Sequence, residues 1–142
     1  MRARRRPRRG FALYAALAVV LLFSFVATLI YMVIREGDRR IERYKGDRAA
    51  LNLAESAVAV LERRFMAKQG PTDLPPAQLT GGTASGKMTS TGTNQYRIVA
   101  VGDAPIPGSE SAHVVLVVDG SGNATTGDWN RTLWRYARSD ER

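Results

Sequence analysis

The chain has 142 residues, 44% of them apolar and 24% charged, which corresponds to one ordinary domain or to a small domain with an accessory segment. It contains no cysteine, so disulfides, thiolate metal sites and thiol nucleophiles are excluded, and its single histidine makes a histidine-rich metal centre improbable. The net charge is +8, but six arginines fall in the first ten positions, and residues 11–142 carry only +2. The basic excess therefore belongs to a short N-terminal segment and not to a nucleic-acid-binding body.

A run of 24 residues without charge, proline or glycine follows this basic segment, at residues 11–34. As a helix the run would be about 36 Å long, enough to cross a hydrocarbon core of about 30 Å. The preceding arginines keep their end in the cytoplasm, which places residue 35 onward outside. A signal peptide has a shorter apolar core and a small-residue cleavage site, and the run matches neither. We predict a single-pass anchor in the cytoplasmic (inner) membrane.

Beyond the anchor, the pattern predicts an amphipathic stalk helix at residues 35–68. Apolar side chains recur there at spacings of three, four or seven and line one face: Ile41, Tyr44, Leu51, Ala54, Val58, Leu61 and Phe65. Gly37 and Gly46 are weak points at which the helix could bend. We expect the helix to end near Gly70 and Pro71.

Residues 69–142 predict a small antiparallel β domain. Residues 71–92 have the proline, glycine, serine and threonine content of a loop, and residues 119–123 that of a tight turn. Strands are expected at residues 95–101, 112–118 and 129–136, with a short tail after residue 138. The predicted fold class is α+β, a long N-terminal helix packed on a three- or four-stranded meander, with segments 1–10, 11–34, 35–68 and 69–142.

No constellation of residues points to catalysis, and we expect neither an enzyme nor a metal or cofactor site. Asp119 stands beside glycine and is typical of a turn, and His113 is expected to be a satisfied or surface residue. Glu55 and Glu62 share a helix face, and we expect Arg48 and Arg63 to satisfy them.

A basic and aromatic cluster closes the sequence: Trp129, Arg131, Trp134, Arg135, Tyr136 and Arg138. Such a cluster could stack on single-stranded nucleic acid. The alternative is that the aromatic rings belong to the sheet core and the arginines to its rim. The small net charge of residues 11–142 favours the alternative, because it provides little long-range attraction for a polyanion.

The N-terminal sequence resembles that of a known family. Residues 8–15, Arg-Arg-Gly-Phe-Ala-Leu-Tyr-Ala, are similar to the signal of type IV pilins and type II secretion pseudopilins, in which a basic leader ends in glycine and an apolar helix begins. The resemblance covers about the first 65 residues. It implies that a prepilin peptidase cuts between Gly10 and Phe11 and methylates the new amine.

The resemblance also implies assembly by helix packing. After cleavage the helix would exchange lipid for neighbouring subunits, and small residues favour close approach; the expected assembly residues are Ala15, Ala16, Ala18, Ala27, Ala54 and Ala57. The family usually carries a glutamate where this chain has Ala15, and a tip subunit can lack that charge. The expected relatives are therefore tip or initiation subunits, similar to K-type pseudopilins, PilX-like minor pilins or competence-pilus subunits.

The predicted function is that of a minor pilin or pseudopilin in a filament for secretion, competence DNA uptake or motility. Its partners would be other pilin-like subunits, the inner-membrane platform protein, the prepilin peptidase and membrane lipid. Cell-envelope or competence machinery of a Gram-positive bacterium is slightly favoured. The rival hypothesis is a signal-anchored envelope scaffold with a small external binding domain, which does not explain the junction of Gly10 and Phe11.

Overall fold

A computed structural model describes residues 9–108 and 110–137 of the chain, with side chains from residue 13 onward. The chain forms helix α1 (Arg9–Arg64), a π-helical turn (Phe65–Gln69) and strands β1 (Asp73–Leu79), β2 (Gly82–Gly92), β3 (Gln95–Ala104), β4 (Ala112–Asn123) and β5 (Asp128–Tyr136). It divides into two compact units, the first reaching Arg40 and the second beginning at Ile41. The α+β class predicted from the sequence is confirmed.

The described part of the first unit, residues 9–40, is helical. Every described side chain in residues 13–36 is exposed. The hydroxyls of Ser24 and Thr28 donate to the carbonyls four residues earlier, at 2.9 and 2.8 Å, so these polar groups are satisfied inside the helix itself. The outer surface of the helix is consequently almost entirely apolar from Leu13 to Ile34.

In the second unit α1 continues to Arg64, and the π-helical turn carries the helical backbone to Gln69, next to the expected end at Gly70 and Pro71. Lys68 takes a left-handed conformation with φ of 64°, and Gly70 follows with φ of 71°. These two residues stop the helix and turn the chain towards β1. Gly37 and Gly46, which the sequence marks as weak points, both lie within the uninterrupted helix.

The five strands form one antiparallel meander in the order β1-β2-β3-β4-β5. The prediction of a loop at residues 71–92 is wrong, because β1 and the whole of β2 lie in that segment. Pro75 and Pro76 are tolerated since β1 is an edge strand whose register shifts at this point. In β2, Ala84 and Met88 are buried and lie on one face of the strand, because side chains alternate between the two faces. The polar residues between them lie on the other face.

The prediction of a turn at residues 119–123 is also wrong. Strand β4 runs to Asn123, and the turn follows at residues 124–127, with Gly127 at φ of 82°. The glycines of this segment serve close packing instead. A Cβ atom on Gly122 would lie 2.9 Å from Cε1 of Phe65, so only glycine allows the aromatic ring to rest on the strand.

One face of α1 packs on one face of the sheet to form the core. The helix contributes small and branched residues at helical spacing, and the sheet contributes alternating residues of β2, β3 and β4. The ring of Phe65 lies edge-on to Tyr96 and Trp129, with centroids 4.7 and 5.4 Å apart. The fully buried members, at 2% exposure or less, include Ala50, Ala57, Val58, Leu61, Phe65, Ala84, Ile98, Ala100 and Val118.

Candidate functional site

The first candidate site is the N-terminal part of α1 from Leu13 to Ile34, called here the apolar half of α1. Within the described residues, α1 and its π-helical turn form one helix long and apolar enough to cross a membrane. Large side chains point outward along its N-terminal half; Leu13 is 71% exposed, Phe23 70% and Val33 72%. A continuous apolar surface of this size requires cover from lipid or from other apolar chains.

The backbone of Gly10 and Phe11, the predicted processing junction, lies in α1. Residues 1–8 of the predicted leader lie outside the described residues. The backbone at the predicted junction is therefore helical.

The predicted assembly residues separate into two groups. Ala15, Ala16, Ala18 and Ala27 are exposed on the apolar half of α1. Ala54 and Ala57, in contrast, are 0% and 1% exposed because they pack on the chain's own sheet. Their small size serves the core of the second unit and leaves no surface there for a neighbouring helix.

The second candidate site is the basic and aromatic cluster on β5, which the structure divides between two faces. Trp129, Arg131 and Trp134 lie opposite Gly122, Gly120 and Val118, on the face that packs against α1. Residues three apart normally point to opposite faces, but a register shift at Asp119 and Gly120 puts Arg131 and Trp134 on the same one. Arg135 lies opposite Val117 on the other face, and Arg138 lies outside the described residues.

Glu62 of α1 binds two members of this cluster. The indole nitrogen of Trp129 donates to Oε1 of Glu62 at 2.9 Å. Arg131 donates through Nε to Oε1 at 3.1 Å and through Nη2 to Oε2 at 2.9 Å. The side chain of Glu62 is only 12% exposed, so this carboxylate is neutralised from strand β5. The expectation that Arg48 and Arg63 satisfy Glu62 is therefore wrong, because local spacing gives no signal for a partner 69 residues away.

Two further residues that the sequence singled out, Asp119 and His113, form pairs across strands. Asp119 lies inside β4 and accepts from Nε and Nη2 of Arg97 at 2.6 and 3.2 Å, so it is not a turn residue. His113 pairs with Asp103 on the neighbouring strand, and both side chains are about 40% exposed. Among the described residues, no group of three or more histidines, aspartates or glutamates is placed to hold a metal ion.

Only part of the cluster on β5 is accessible. Trp129 packs against the core, and the charge of Arg131 is matched by Glu62. Trp134 and Tyr136 are 39% and 56% exposed, with ring centroids 5.7 Å apart in an edge-on arrangement. Trp129 therefore packs on the sheet core, as the alternative interpretation of the cluster predicts. Trp134 and Tyr136 remain as an exposed aromatic pair beside the helix.

Comparisons with protein-family models, with curated proteins and with solved structures found no match to this chain. Its function is therefore argued from its own residues. The two features that carry the argument are the apolar half of α1 and the exposed aromatic pair of β5 beside the amphipathic half of the same helix.

Proposed function

We propose that this chain is a non-catalytic, membrane-anchored subunit of a type IV pilus-like filament, a minor pilin or pseudopilin. The observation that carries the proposal is one helix with two different surfaces along its length. Its N-terminal half has outward-facing apolar side chains from Leu13 to Ile34, and its C-terminal half packs on an antiparallel meander. The basic residues and the pair Gly10 and Phe11 at its start add the processing signal of that family.

The apolar half of α1 would work in two environments. Before assembly it would lie in the cytoplasmic membrane with the β domain outside, and the peptidase would cut between Gly10 and Phe11 on the cytoplasmic side. In the filament, helices of other subunits would replace the lipid, with the platform protein driving the transfer. Small residues such as Ala16 and Ala27 allow close contact between helices, which is the main source of helix association in lipid.

Ala15 supports a position at the tip or in initiation of the filament. At this position the family usually has a glutamate that pairs with the terminal amine of an adjoining subunit. Alanine has no charged group and cannot form that ion pair. A subunit with no predecessor does not need the pair. The filament would then act in secretion, DNA uptake or motility, at the cell surface or in the periplasm.

The test is the intact mass and N-terminal sequence of the membrane-extracted protein, produced with and without an active prepilin peptidase. We expect the peptidase to yield a chain that starts at Phe11 with one added methyl group. Gly10→Val should block the cut by placing a bulky side chain at the scissile bond. Gly37→Ala, the matched glycine change far from the junction, should be processed as the unaltered chain is.

A full-length chain in the presence of a peptidase that processes a control pilin would overturn the proposal. The signal-anchored envelope scaffold would then be the better hypothesis, since it predicts an intact leader. Processing of Gly10→Val at the same rate as the unaltered chain would equally count against a cut at this junction.

A further inference from the structure

A crevice of about 400 Å³ lies between α1 and the edge strand β5. Its lining comes from both elements: Glu55 and Val58 of the helix, and Arg131 and Trp134 of the strand. All four residues belong to the second unit. The volume is in the range of small-molecule sites and is enough for one long side chain.

The crevice lining has one acidic and one basic residue, Glu55 and Arg131, and the basic one is paired with Glu62. Arg131 is held by Glu62 through both carboxylate oxygens, so its positive charge is already matched. Glu55 is exposed, and within residues 13–108 and 110–137 the structure shows no side-chain hydrogen bond or ion pair for it. Together Glu55, Glu62 and Arg131 leave one uncompensated negative charge at the crevice.

The crevice also presents an aromatic ring. Trp134 is 39% exposed and lines the space beside Glu55. Tyr136 lies edge-on to it at 5.7 Å and supports the orientation of the indole. The face of an indole attracts cations, and the attraction adds to that of a nearby carboxylate.

We infer that this crevice binds a lysine or arginine side chain of a partner protein. The cationic group pairs with the carboxylate of Glu55 and lies on the ring of Trp134. A nucleic-acid phosphate is disfavoured at the same place, because it would face Glu55 and could reach Arg131 only by breaking the pair with Glu62. The inference goes beyond the proposed filament subunit and holds equally for an envelope scaffold.

The experiment uses the full chain in an uncharged maltoside detergent, with the tryptophan indoles labelled with ¹⁵N. The two indole N–H signals report on two places: Trp134 in the crevice and Trp129, whose N–H is bonded to Glu62. The probe is the blocked tripeptide acetyl-glycyl-arginyl-glycine amide. Its control is the same peptide with citrulline, which keeps the shape of arginine and lacks its charge.

We expect the arginine peptide to shift the signal of Trp134 saturably and to leave that of Trp129 in place. The citrulline peptide should produce no saturable shift. Glu55→Gln should weaken the apparent affinity about threefold, and so should 0.5 M salt, because an exposed ion pair is screened. Glu42→Gln on the same helix and Leu133→Ala on the other face of β5 should leave the affinity unchanged.

Three results would overturn the inference. Equal shifts with the citrulline peptide would show that the charge is not recognised. A shift of Trp134 with a short oligothymidylate but not with the arginine peptide would assign the crevice to nucleic acid. An unmoved Trp134 signal up to tens of millimolar peptide would show that the crevice has no affinity for a cation.

Discussion

The guanidinium of Arg131 and the carboxylate of Glu62 form a two-point contact, with Nη2 2.9 Å from Oε2 and Nε 3.1 Å from Oε1. The two residues are 69 positions apart in the chain. The indole N–H of Trp129 completes the group by donating to the same carboxylate. One helix side chain thus holds two positions of β5, an edge strand that has a sheet neighbour on one side only.

The first prediction concerns this contact. Glu62→Ala leaves the N–H of Trp129 and the guanidinium of Arg131 without their acceptor. We expect the free energy of unfolding to fall by about 1–2 kcal/mol, the lower part of the range for an unsatisfied group because Arg131 is 47% exposed. Urea unfolding followed by tryptophan fluorescence in an uncharged detergent measures the change.

Glu42→Ala is the matched control for Glu62→Ala. Glu42 pairs with Lys45 at 3.7 Å, and both side chains are more than 40% exposed. We expect a loss of no more than about 0.5 kcal/mol, since exposed pairs on a helix contribute little. Equal losses in the two variants would contradict a special role for Glu62.

The second prediction concerns a close approach of α1 to strand β3 at Gly102. A Cβ atom on Gly102 would collide with the carbonyl oxygen of Ala50 and lie 2.7 Å from the nitrogen of Ala54. Both are backbone atoms of the helix and cannot move aside singly. Gly102→Ala is expected to lower the free energy of unfolding by about 1–3 kcal/mol.

Gly37→Ala serves as its control, because nothing lies within 4 Å of a Cβ atom there and the residue sits inside a helix. Alanine should be neutral or raise helix stability by up to about 1 kcal/mol. If thermal unfolding by circular dichroism showed Gly102→Ala to be as stable as Gly37→Ala, the packing of α1 on β3 described above would be incorrect.

The third prediction concerns the aromatic core. Phe65 is fully buried and contacts the rings of Tyr96 and Trp129. Phe65→Ala should lower the free energy of unfolding by about 3–5 kcal/mol, because a large cavity opens beside both rings. It should also reduce the near-ultraviolet circular dichroism. Met66→Ala, one position along and 48% exposed, should cost far less. Similar losses for the two changes would place Phe65 outside the core.

The fourth prediction concerns the apolar half of α1. Leu22→Arg puts a charge near the middle of residues 11–34, at a cost of about 2.5–3.5 kcal/mol in a bilayer. We expect the fraction of chain that resists carbonate extraction from membranes to fall. Ile41→Arg makes the same change beyond the apolar run, at a residue 53% exposed, and should leave that fraction unaltered. Identical extraction of the two variants would argue against residues 11–34 as the membrane-spanning segment.

Several elements of the fold were predictable because their signals are local. The β-branched run at residues 112–118 is the first part of a buried strand. The periodic apolar residues of the predicted stalk helix are buried from Ala54 to Phe65, whereas Ile41 and Tyr44 at the start of the same pattern are exposed. Strand β1 escaped prediction because proline is read as a breaker unless the strand is known to lie at an edge. Strand β2 escaped because its glycine, serine and threonine content is typical of a loop. Gly120 and Gly122 were assigned to a turn because a glycine in the sequence is equally compatible with a turn and with a close packing contact inside a strand.

The sequence alone determined that this protein has an uncharged helix long enough to cross a membrane, followed by an amphipathic one and a small sheet. Those properties depend on length and on neighbours within two helical turns. Only the tertiary structure decided that Glu62 binds Trp129 and Arg131, that Trp134 and Arg135 face opposite ways, and that a crevice opens at Glu55. Each depends on strand register, and one shifted position moves a side chain to the other face of the sheet.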